Sequence, residues 1–253
     1  MAIFRVVIWY PSRNQEDPPW ESLSLNDKLS ALEAAIRDAS GLFTGGQFQG
    51  IFVAPEYVLT GDGPSRDCQT PIPLERSSQL FKHLETLSAT IPRVLFFPGS
   101  MMVLSGTNVQ NRMVGYYEGD STFFCGKKDD VGEAGAGNTF SPGNGGAIAS
   151  IQDKKVGIQI CRDAIHGGSS SYLQGEVEIQ VVAGSGIGFE AIGFLDPEPR
   201  VLIVADQGSM IGGVQFSQTK NVARKETAME ESVFPSVARP YGFYKTCVVD
   251  YAD

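Results

Sequence analysis

KKVGIQICRDAIHG, residues 154–167, joins an apolar run to a short series of reactive side chains. The run 156–160 is valine- and isoleucine-rich, a composition that predicts a buried strand. Cys161 follows it directly, and Arg162, Asp163 and His166 come next. A thiol in this place is either the last buried residue of a strand or a nucleophile beside a turn. The stretch by itself leaves both interpretations open.

Strand-like and helix-like patterns alternate through the first half of the chain. The strand-like runs are rich in β-branched and aromatic residues, and the helix-like segments repeat apolar residues at helical spacing. This alternation indicates a layered α/β fold. The predicted strands are 4–10, 50–56 and 93–102, and the predicted helices run from residue 25 to Gly41 and over 76–90, with a polar loop over 60–74.

The second half is dominated by strand patterns. Residues 112–128 predict a hairpin around a Glu-Gly-Asp turn, which makes the sheet mixed rather than purely parallel. Residues 129–146 form a long loop with six glycines, a length typical of functional loops. We expect one domain over residues 1–253. Further predicted strands are 147–161, 177–186, 201–209 and 243–251, and residues 216–231 are predicted to be partly helical.

Composition excludes several classes of protein. The 253 residues carry a net charge of −9 with no basic stretch, which argues against nucleic acid or an anionic membrane as the main partner. No apolar run reaches the roughly 18–20 residues of a membrane helix. The first residues show no secretion signal, so we expect a cytoplasmic protein. The four cysteines are far apart in sequence and form no CxxC pair, which predicts free thiols.

Two further sites place charged residues at predicted strand ends. Glu56 directly follows an apolar run, so it is either a surface carboxylate or a buried general base with a raised pKa. Lys127 and Lys128 end the run STFFCG. They belong either to a solvated turn or to a site where a cation stabilises an oxyanion.

Patterns for metals and cofactors are absent from the sequence. His83 lies in a helical pattern and is predicted to be a surface residue, and there is no HExxH. The run GSGIG at 184–188 lacks the full dinucleotide fingerprint, and no phosphate-binding GxxxxGK[ST] occurs. We therefore expect neither a metal nor a cofactor.

Glu56, Lys127 and Cys161 each follow a predicted strand, and they occur in this order along the chain. A glutamate follows a strand in VAPE, a lysine follows a strand in a hairpin, and a cysteine follows a strand in VGIQICRD. This order resembles the nitrilase superfamily, the carbon–nitrogen hydrolases with a Glu-Lys-Cys triad. The runs FSPGN at 140–144 and DKKVGIQICRD at 153–163 look like that family's F-x-PG segment and cysteine motif. The likeness covers about residues 3–210.

The resemblance implies a four-layer α-β-β-α sandwich, usually dimeric, that acts on amides, nitriles or carbamoyl groups. Glu56 would be the general base and Cys161 the nucleophile. Family hairpins place the lysine eight residues after the turn glycine, which indicates Lys127, with Lys128 as the second choice. A further family glutamate corresponds to Glu133.

The resemblance also implies a chemistry. The thiol attacks the substrate carbon, the Lys127 ammonium and the Arg162 backbone N–H hold the oxyanion, and a thioester forms. Asp163 is more similar to the amidase branch than to true nitrilases. The acyl pocket would involve Tyr57, His166 and the loop 183–186, which includes Ser185. Where many relatives continue with Arg-Phe-Pro-Glu, this chain has AIHGG, so the substrate is left undefined.

Three alternatives to amide hydrolysis remain at this point. The same triad could hydrolyse nitriles. A metal-dependent phosphoesterase of similar layered shape would use Glu56 as a metal ligand. A non-catalytic binding protein could also have this fold.

Overall fold

Two β-sheets and two α-helices form the regular structure of the described residues. The structure is a computed structural model, and it describes residues 2–11, 20–43, 48–61, 70–135, 137–165, 172–187, 191–192, 194–207, 213–217, 230–233 and 242–251. The helices are α1 (Leu25–Ser40) and α2 (Leu74–Ser88). The strands are β1 (Ala2–Pro11), β2 (Gly50–Val53), β3 (Ile72–Pro73), β4 (Val94–Phe97), β5 (Ser100–Ser105), β6 (Asn108–Tyr117), β7 (Asp120–Gly126), β8 (Thr139–Phe140), β9 (Ala147–Ile151), β10 (Lys154–Ile160), β11 (Ile179–Gly184), β12 (Val201–Asp206), β13 (Gly213–Phe216), β14 (Glu230–Val233) and β15 (Gly242–Tyr251).

The first sheet is built around β1. Its order is β14-β15-β1-β2-β4-β6-β5-β3, and β7 and β8 also pair with β6. Strands β1, β2 and β4 are parallel, whereas β6 and β7 form the antiparallel hairpin predicted from the sequence. The sheet is therefore mixed, as expected.

The second sheet has the order β13-β12-β11-β10-β9. Its three central strands, β10, β11 and β12, are parallel. All residues of β11 and β12 are buried, which is typical of parallel strands covered on both faces. Because these strands are parallel, their carboxyl ends lie along one edge of the sheet.

The core lies in layers set by the alternation of side chains along the strands. One face of the first sheet, with Val7 and Phe52, packs against α1 and α2. Its other face packs against the second sheet, where Ile8 and Ile51 belong to one cluster with Ile158. The outer face of the second sheet is covered, in the part of the chain that is described, by segments without α-helical structure.

Two of the predicted strands are each divided in the structure. The run 147–161 is the antiparallel pair β9 and β10. The run 93–102 is two strands, β4 and β5, separated by Pro98 and Gly99. Gly99 has a φ of +86°, and a Cβ there would lie 2.3 Å from the carbonyl oxygen of Pro55. Only glycine combines that backbone conformation with such a close approach. The break thus holds the chain next to the segment that carries Glu56.

The other differences concern short elements and element ends. Helix α2 begins at Leu74, two residues before the predicted start. The two-residue strands β3 and β8 lie within the predicted loops 60–74 and 129–146. Most of the predicted helical region 216–231 lies outside the described residues. Among the described residues, no helix is both long and apolar enough to cross a membrane.

Candidate active site

Strand ends from both sheets meet in one buried cluster. Glu56 lies just after β2 and Lys127 directly after β7, both in the first sheet. Cys161 directly follows β10, in the second sheet. The backbone N–H of Glu56 donates to the carbonyl of Gly184, at the end of β11, over 3.2 Å. This hydrogen bond ties the two sheets together at the cluster.

Glu56 is fully buried, and its two carboxylate oxygens have different surroundings. Oε1 accepts hydrogen bonds from Lys127 Nζ and Asn111 Nδ2, each over 2.8 Å. Oε2 has no hydrogen-bond partner among the described residues. Burial raises the pKa of Glu56 to about 7; Lys127 opposes the shift and Glu133 adds to it. A carboxylate with this pKa and a free oxygen is suited to general-base chemistry at neutral pH.

Lys127 lies between two carboxylates. Its Nζ donates to Glu56 and, over 2.6 Å, to Glu133 Oε1. Burial by itself would lower the pKa of Lys127, but Glu56, Cys161 and Glu133 together raise it, so the ammonium keeps its charge. An ammonium has three N–H donors. Two are used by the carboxylates, which leaves one for another acceptor.

Glu133 is the second carboxylate of the cluster and is also buried. Its Oε1 accepts from Lys127, from the Tyr57 hydroxyl, and over 3.3 Å from Asn111 Nδ2. Burial and the nearby carboxylates raise the pKa of Tyr57, so its hydroxyl stays protonated and donates. Tyr57 therefore donates to Glu133, and its place in an acyl pocket stays a prediction.

Cys161 adopts a left-handed backbone conformation, with a φ of +46°. It begins the 3₁₀ turn Cys161–Ala164, directly after the last residue of β10. Burial and the charge of Glu56 raise the pKa of its thiol to about 12; Lys127 and the backbone N–H of Ser185 act in the opposite direction. Above pH 7 the resting form is thus a neutral thiol beside an ionised carboxylate. Such a thiol needs a base to become nucleophilic.

Asp163 supports the turn rather than facing a ligand. Its carboxylate oxygens accept from the backbone N–H groups of Lys128, over 2.8 Å, and Asp129, over 2.9 Å. Burial raises the pKa of Asp163 to about 6, and these two hydrogen bonds oppose the shift. The side chain thereby links the cysteine turn to the end of the strand that carries Lys127.

Replacing Asp163 by asparagine is expected to lower the free energy of unfolding by about 1–3 kcal/mol, because an amide cannot accept from both N–H groups. Urea denaturation at pH 8, where the carboxyl is ionised, measures the change. Asp153→Asn is the matched control, since that side chain is 74% exposed. Equal stability of the two variants would show that the hydrogen bonds of Asp163 do not hold the turn.

The remaining predicted site residues border the cluster, lie apart from it, or fall outside the described residues. Lys128 is exposed, and its Nζ lies 4.2 Å from the centroid of the Tyr172 ring. The side chain of Arg162 is exposed, and the oxyanion role of its backbone N–H stays a prediction. Ser185 is half-buried next to Cys161, and His166 lies outside the described residues. The structure therefore brings Lys127, and not Lys128, to Glu56.

His83 is a surface residue, as predicted. It pairs with Glu33 across the two helices, with 2.5 Å between Nε2 and Oε1. Within the described ranges, no three His, Cys, Asp or Glu side chains are grouped so that they could hold a metal ion.

Asn111 is the residue of the cluster that the sequence analysis missed. It lies in β6, where buried Val109, Asn111 and Met113 alternate with the more exposed Gln110 and Arg112. This period-two pattern would have placed a polar side chain on the inner face of the hairpin. A polar residue at a position that the alternation predicts to be buried would have indicated a site residue.

Comparisons with known proteins agree with this architecture. No family model and no curated protein matches the sequence. Among solved structures, an amidase from Nesterenkonia sp. aligns at 17% identity with a TM-score of 0.60, over 99% of this chain and 90% of that one. The chain has the same fold as this amidase. The α-β-β-α class predicted from the sequence is confirmed.

Two further structures share this fold. A CN-hydrolase superfamily protein from Xanthomonas campestris, with an arsenic adduct in its active site, aligns at 10% identity and a TM-score of 0.56, over 99% of this chain and 91% of that one. A glutamine-dependent NAD(+) synthetase from Cytophaga hutchinsonii aligns at 13% identity and 0.54, over 81% of this chain and 36% of that chain. For the Nesterenkonia amidase, one structure shows acrylamide added to the active-site cysteine and another contains butyramide.

Proposed function

We propose that the chain hydrolyses small amides to a carboxylic acid and ammonia or an amine, through a thioester on Cys161. The observation that carries this proposal is the buried cluster of Glu56, Lys127 and Cys161, built from both sheets. The fold supports it, because solved structures with this fold include amidases with an active-site cysteine.

In the first half of the reaction, Oε2 of Glu56 takes the proton of the Cys161 thiol. The sulfur attacks the carbonyl carbon, and the carbonyl oxygen becomes an oxyanion. The third N–H of Lys127 and the backbone N–H of Arg162 stabilise that charge, each by about 3 kcal/mol if well placed. Glu56 then gives its proton to the leaving nitrogen, the C–N bond breaks, and a thioester remains.

In the second half, water replaces the amine. Glu56, ionised again, takes a proton from water while the water oxygen attacks the thioester carbon. The C–S bond breaks, the acid leaves, and the proton on Glu56 returns to the sulfur. Each proton that leaves a nucleophile is thus returned to a leaving group by the same carboxyl.

The partners of Glu56 favour this role over that of a metal ligand. Its Oε1 already accepts hydrogen bonds from an ammonium and an amide N–H. These donors stabilise a carboxylate that binds no metal ion. The competing hypothesis of a metal-dependent phosphoesterase requires that oxygen for a cation. Activity that EDTA abolishes in the wild type, and that a Cys161→Ala variant retains, would support it instead.

The acid limb of kcat/KM is expected near pH 7, because only the ionised form of Glu56 accepts the thiol proton. The pKa of this carboxyl is raised, so lowering the pH through 7 protonates it. The rate should then fall about tenfold for each further pH unit. A pH profile of ammonia release from a reactive amide measures this limb. A rate that stays level down to pH 5 would exclude Glu56 as the base.

Mass spectrometry of Cys161 after incubation with a mixed panel of amides and nitriles tests the proposed function most directly. A trapped acyl adduct confirms the nucleophile, and its mass identifies the acyl group. Adducts from nitriles alone would favour nitrile hydrolysis on the same triad. If neither an adduct nor ammonia appears with any compound, the proposal of a non-catalytic binding protein gains support.

The proposal keeps two expectations from the sequence analysis, a cytoplasmic location and, from the family resemblance, a homodimer. It also places substrate selection in the segment after Cys161, where the sequence AIHGG departs from the relatives. Size-exclusion chromatography with light scattering measures the oligomeric state.

A further inference from the structure

Asn111 lies on the inner face of the hairpin, beside the lysine of the cluster. It is fully buried, and its backbone carbonyl accepts from the backbone N–H of Lys127 over 2.9 Å. The two residues are therefore held side by side at the end of the hairpin. Any shift of one backbone would move the other side chain.

The side-chain amide of Asn111 bridges the two carboxylates. Its Nδ2 donates to Oε1 of Glu56 over 2.8 Å and to Oε1 of Glu133 over 3.3 Å. The orientation of the amide is set by its surroundings, since Oδ1 in that place would face two carboxylate oxygens. Oδ1 instead points elsewhere and has no hydrogen-bond partner in the described part of the chain. The site tolerates this unpaired oxygen, which costs free energy in a buried place.

The charge balance of the cluster explains the need for such a donor. Two carboxylates, Glu56 and Glu133, share one ammonium, Lys127. They repel each other in a place where charges are poorly solvated. The Asn111 amide donates to both without adding a charge, so it stabilises the negative charge that they share with one ammonium. The hydroxyl of Tyr57 does the same for Glu133 alone.

We propose that Asn111 is a positioning residue that holds Oε1 of Glu56 against Lys127 and thereby leaves Oε2 free to take the proton of Cys161. The groups that face Glu56 are Lys127, Glu133 and Cys161. Of these, only Lys127 donates to Oε1, so the amide is the second anchor of that oxygen. Without the amide, Oε1 keeps one donor and the carboxylate is held less firmly. This inference goes beyond the proposed function, because it adds a residue that orients Glu56 and lowers its pKa. It rests on the proposed function only where the acid limb of kcat/KM is measured.

Alkylation of Cys161 by iodoacetamide, followed from pH 5 to 10 on the Cys161 peptide, tests the inference without a substrate. In Asn111→Ala, the midpoint of the rate is expected to rise by about one pH unit, since Glu56 loses a hydrogen bond that favours its ionised form. At pH 6.5 the rate should fall about tenfold, and above pH 9 it should come within about threefold of the wild type.

Asn111→Asp keeps the side-chain shape and replaces the donor by an acceptor. It should move the midpoint in the same direction and at least as far, because it places a third carboxylate beside Glu56. Asn108→Ala is the control, since that asparagine is exposed at the start of the same strand. Its profile should match that of the wild type. If an amide substrate is found, the acid limb of kcat/KM should move by the same amount.

Three results would overturn the inference. They are an unchanged profile in both Asn111 variants, a loss of rate that is equal at every pH, or failure of both variants to melt cooperatively, which would make Asn111 a purely structural residue. The proposed function has a separate outcome. If the alkylation profile shifts as expected but no amide or nitrile is hydrolysed, the role of Asn111 stands and the hydrolase proposal fails.

Discussion

Replacing Cys161 by alanine is expected to reduce amide hydrolysis by about 10⁵-fold, because removal of a nucleophile leaves only binding and oxyanion stabilisation. The free energy of unfolding should change little, since the side chain lies directly after β10 and loses only one sulfur atom. Ammonia release under saturating substrate measures the loss of kcat. Circular dichroism and thermal melting of the same sample show that the fold is intact.

Two variants make the test specific. Cys161→Ser keeps a nucleophilic atom in place, but its hydroxyl has a far higher pKa than a thiol, so Glu56 deprotonates it poorly and turnover should remain very low. Cys125→Ala removes another buried thiol, two residues before Lys127, and should retain activity within about threefold of the wild type. Turnover retained in Cys161→Ala would exclude the thioester mechanism.

Replacing Lys127 by methionine is expected to abolish turnover and to lower the free energy of unfolding by about 3–5 kcal/mol. The substitution keeps the length of the side chain and removes its charge, which leaves Glu56 and Glu133 buried without a counter-ion. Urea denaturation measures the loss. Lys128→Met is the matched control, because that ammonium is exposed and contacts an aromatic ring rather than a carboxylate.

The pH dependence of the Lys127→Met defect has a definite sign. Without the ammonium, the pKa of Glu56, which burial already raises, rises further in the folded protein. A raised folded-state pKa gives stability that is present at low pH and lost as the pH rises through that pKa. The defect should therefore be larger at pH 8 than at pH 5. Adding Glu133→Gln should recover part of the lost stability, since one of the two uncompensated charges is removed. A defect that does not vary with pH would contradict the electrostatic explanation.

Much of the fold follows from local sequence patterns. The apolar runs of β1, β2, β10, β11 and β12 predict buried strands, because strands covered on both faces need apolar side chains at every position. The hairpin of β6 and β7 follows from its Glu-Gly-Asp turn, where Gly119 has a φ of +90°. These features depend only on residues close in sequence.

The features that sequence reasoning missed depend on distant neighbours. The break at Gly99 exists because that backbone packs against Pro55, 44 positions earlier in the chain, and no local pattern reports such a contact. The two-residue strands β3 and β8 are too short to have a period. Asn111 was missed because its hydrogen-bond partners, the carboxylates of Glu56 and Glu133, belong to segments far from it in sequence.

The choice between the two lysines shows the same limit. Spacing from the turn glycine favoured Lys127, yet both lysines follow the strand directly. The structure separates them because side chains alternate across the end of β7: Lys127 turns inward to Glu56 and Lys128 turns outward to Tyr172. The count along the hairpin and the geometry agree on Lys127.

The hydrogen bond between Glu56 and Gly184 joins the two sheets at the cluster, and it has a consequence for how the protein matures. Glu56 and Lys127 come from one sheet and Cys161 from the other, so neither sheet alone holds the proposed catalytic centre. We therefore expect the thiol to gain its proposed base only when the two sheets pack together during folding. The onset of alkylation at Cys161 in a refolding experiment would then mark that step in time.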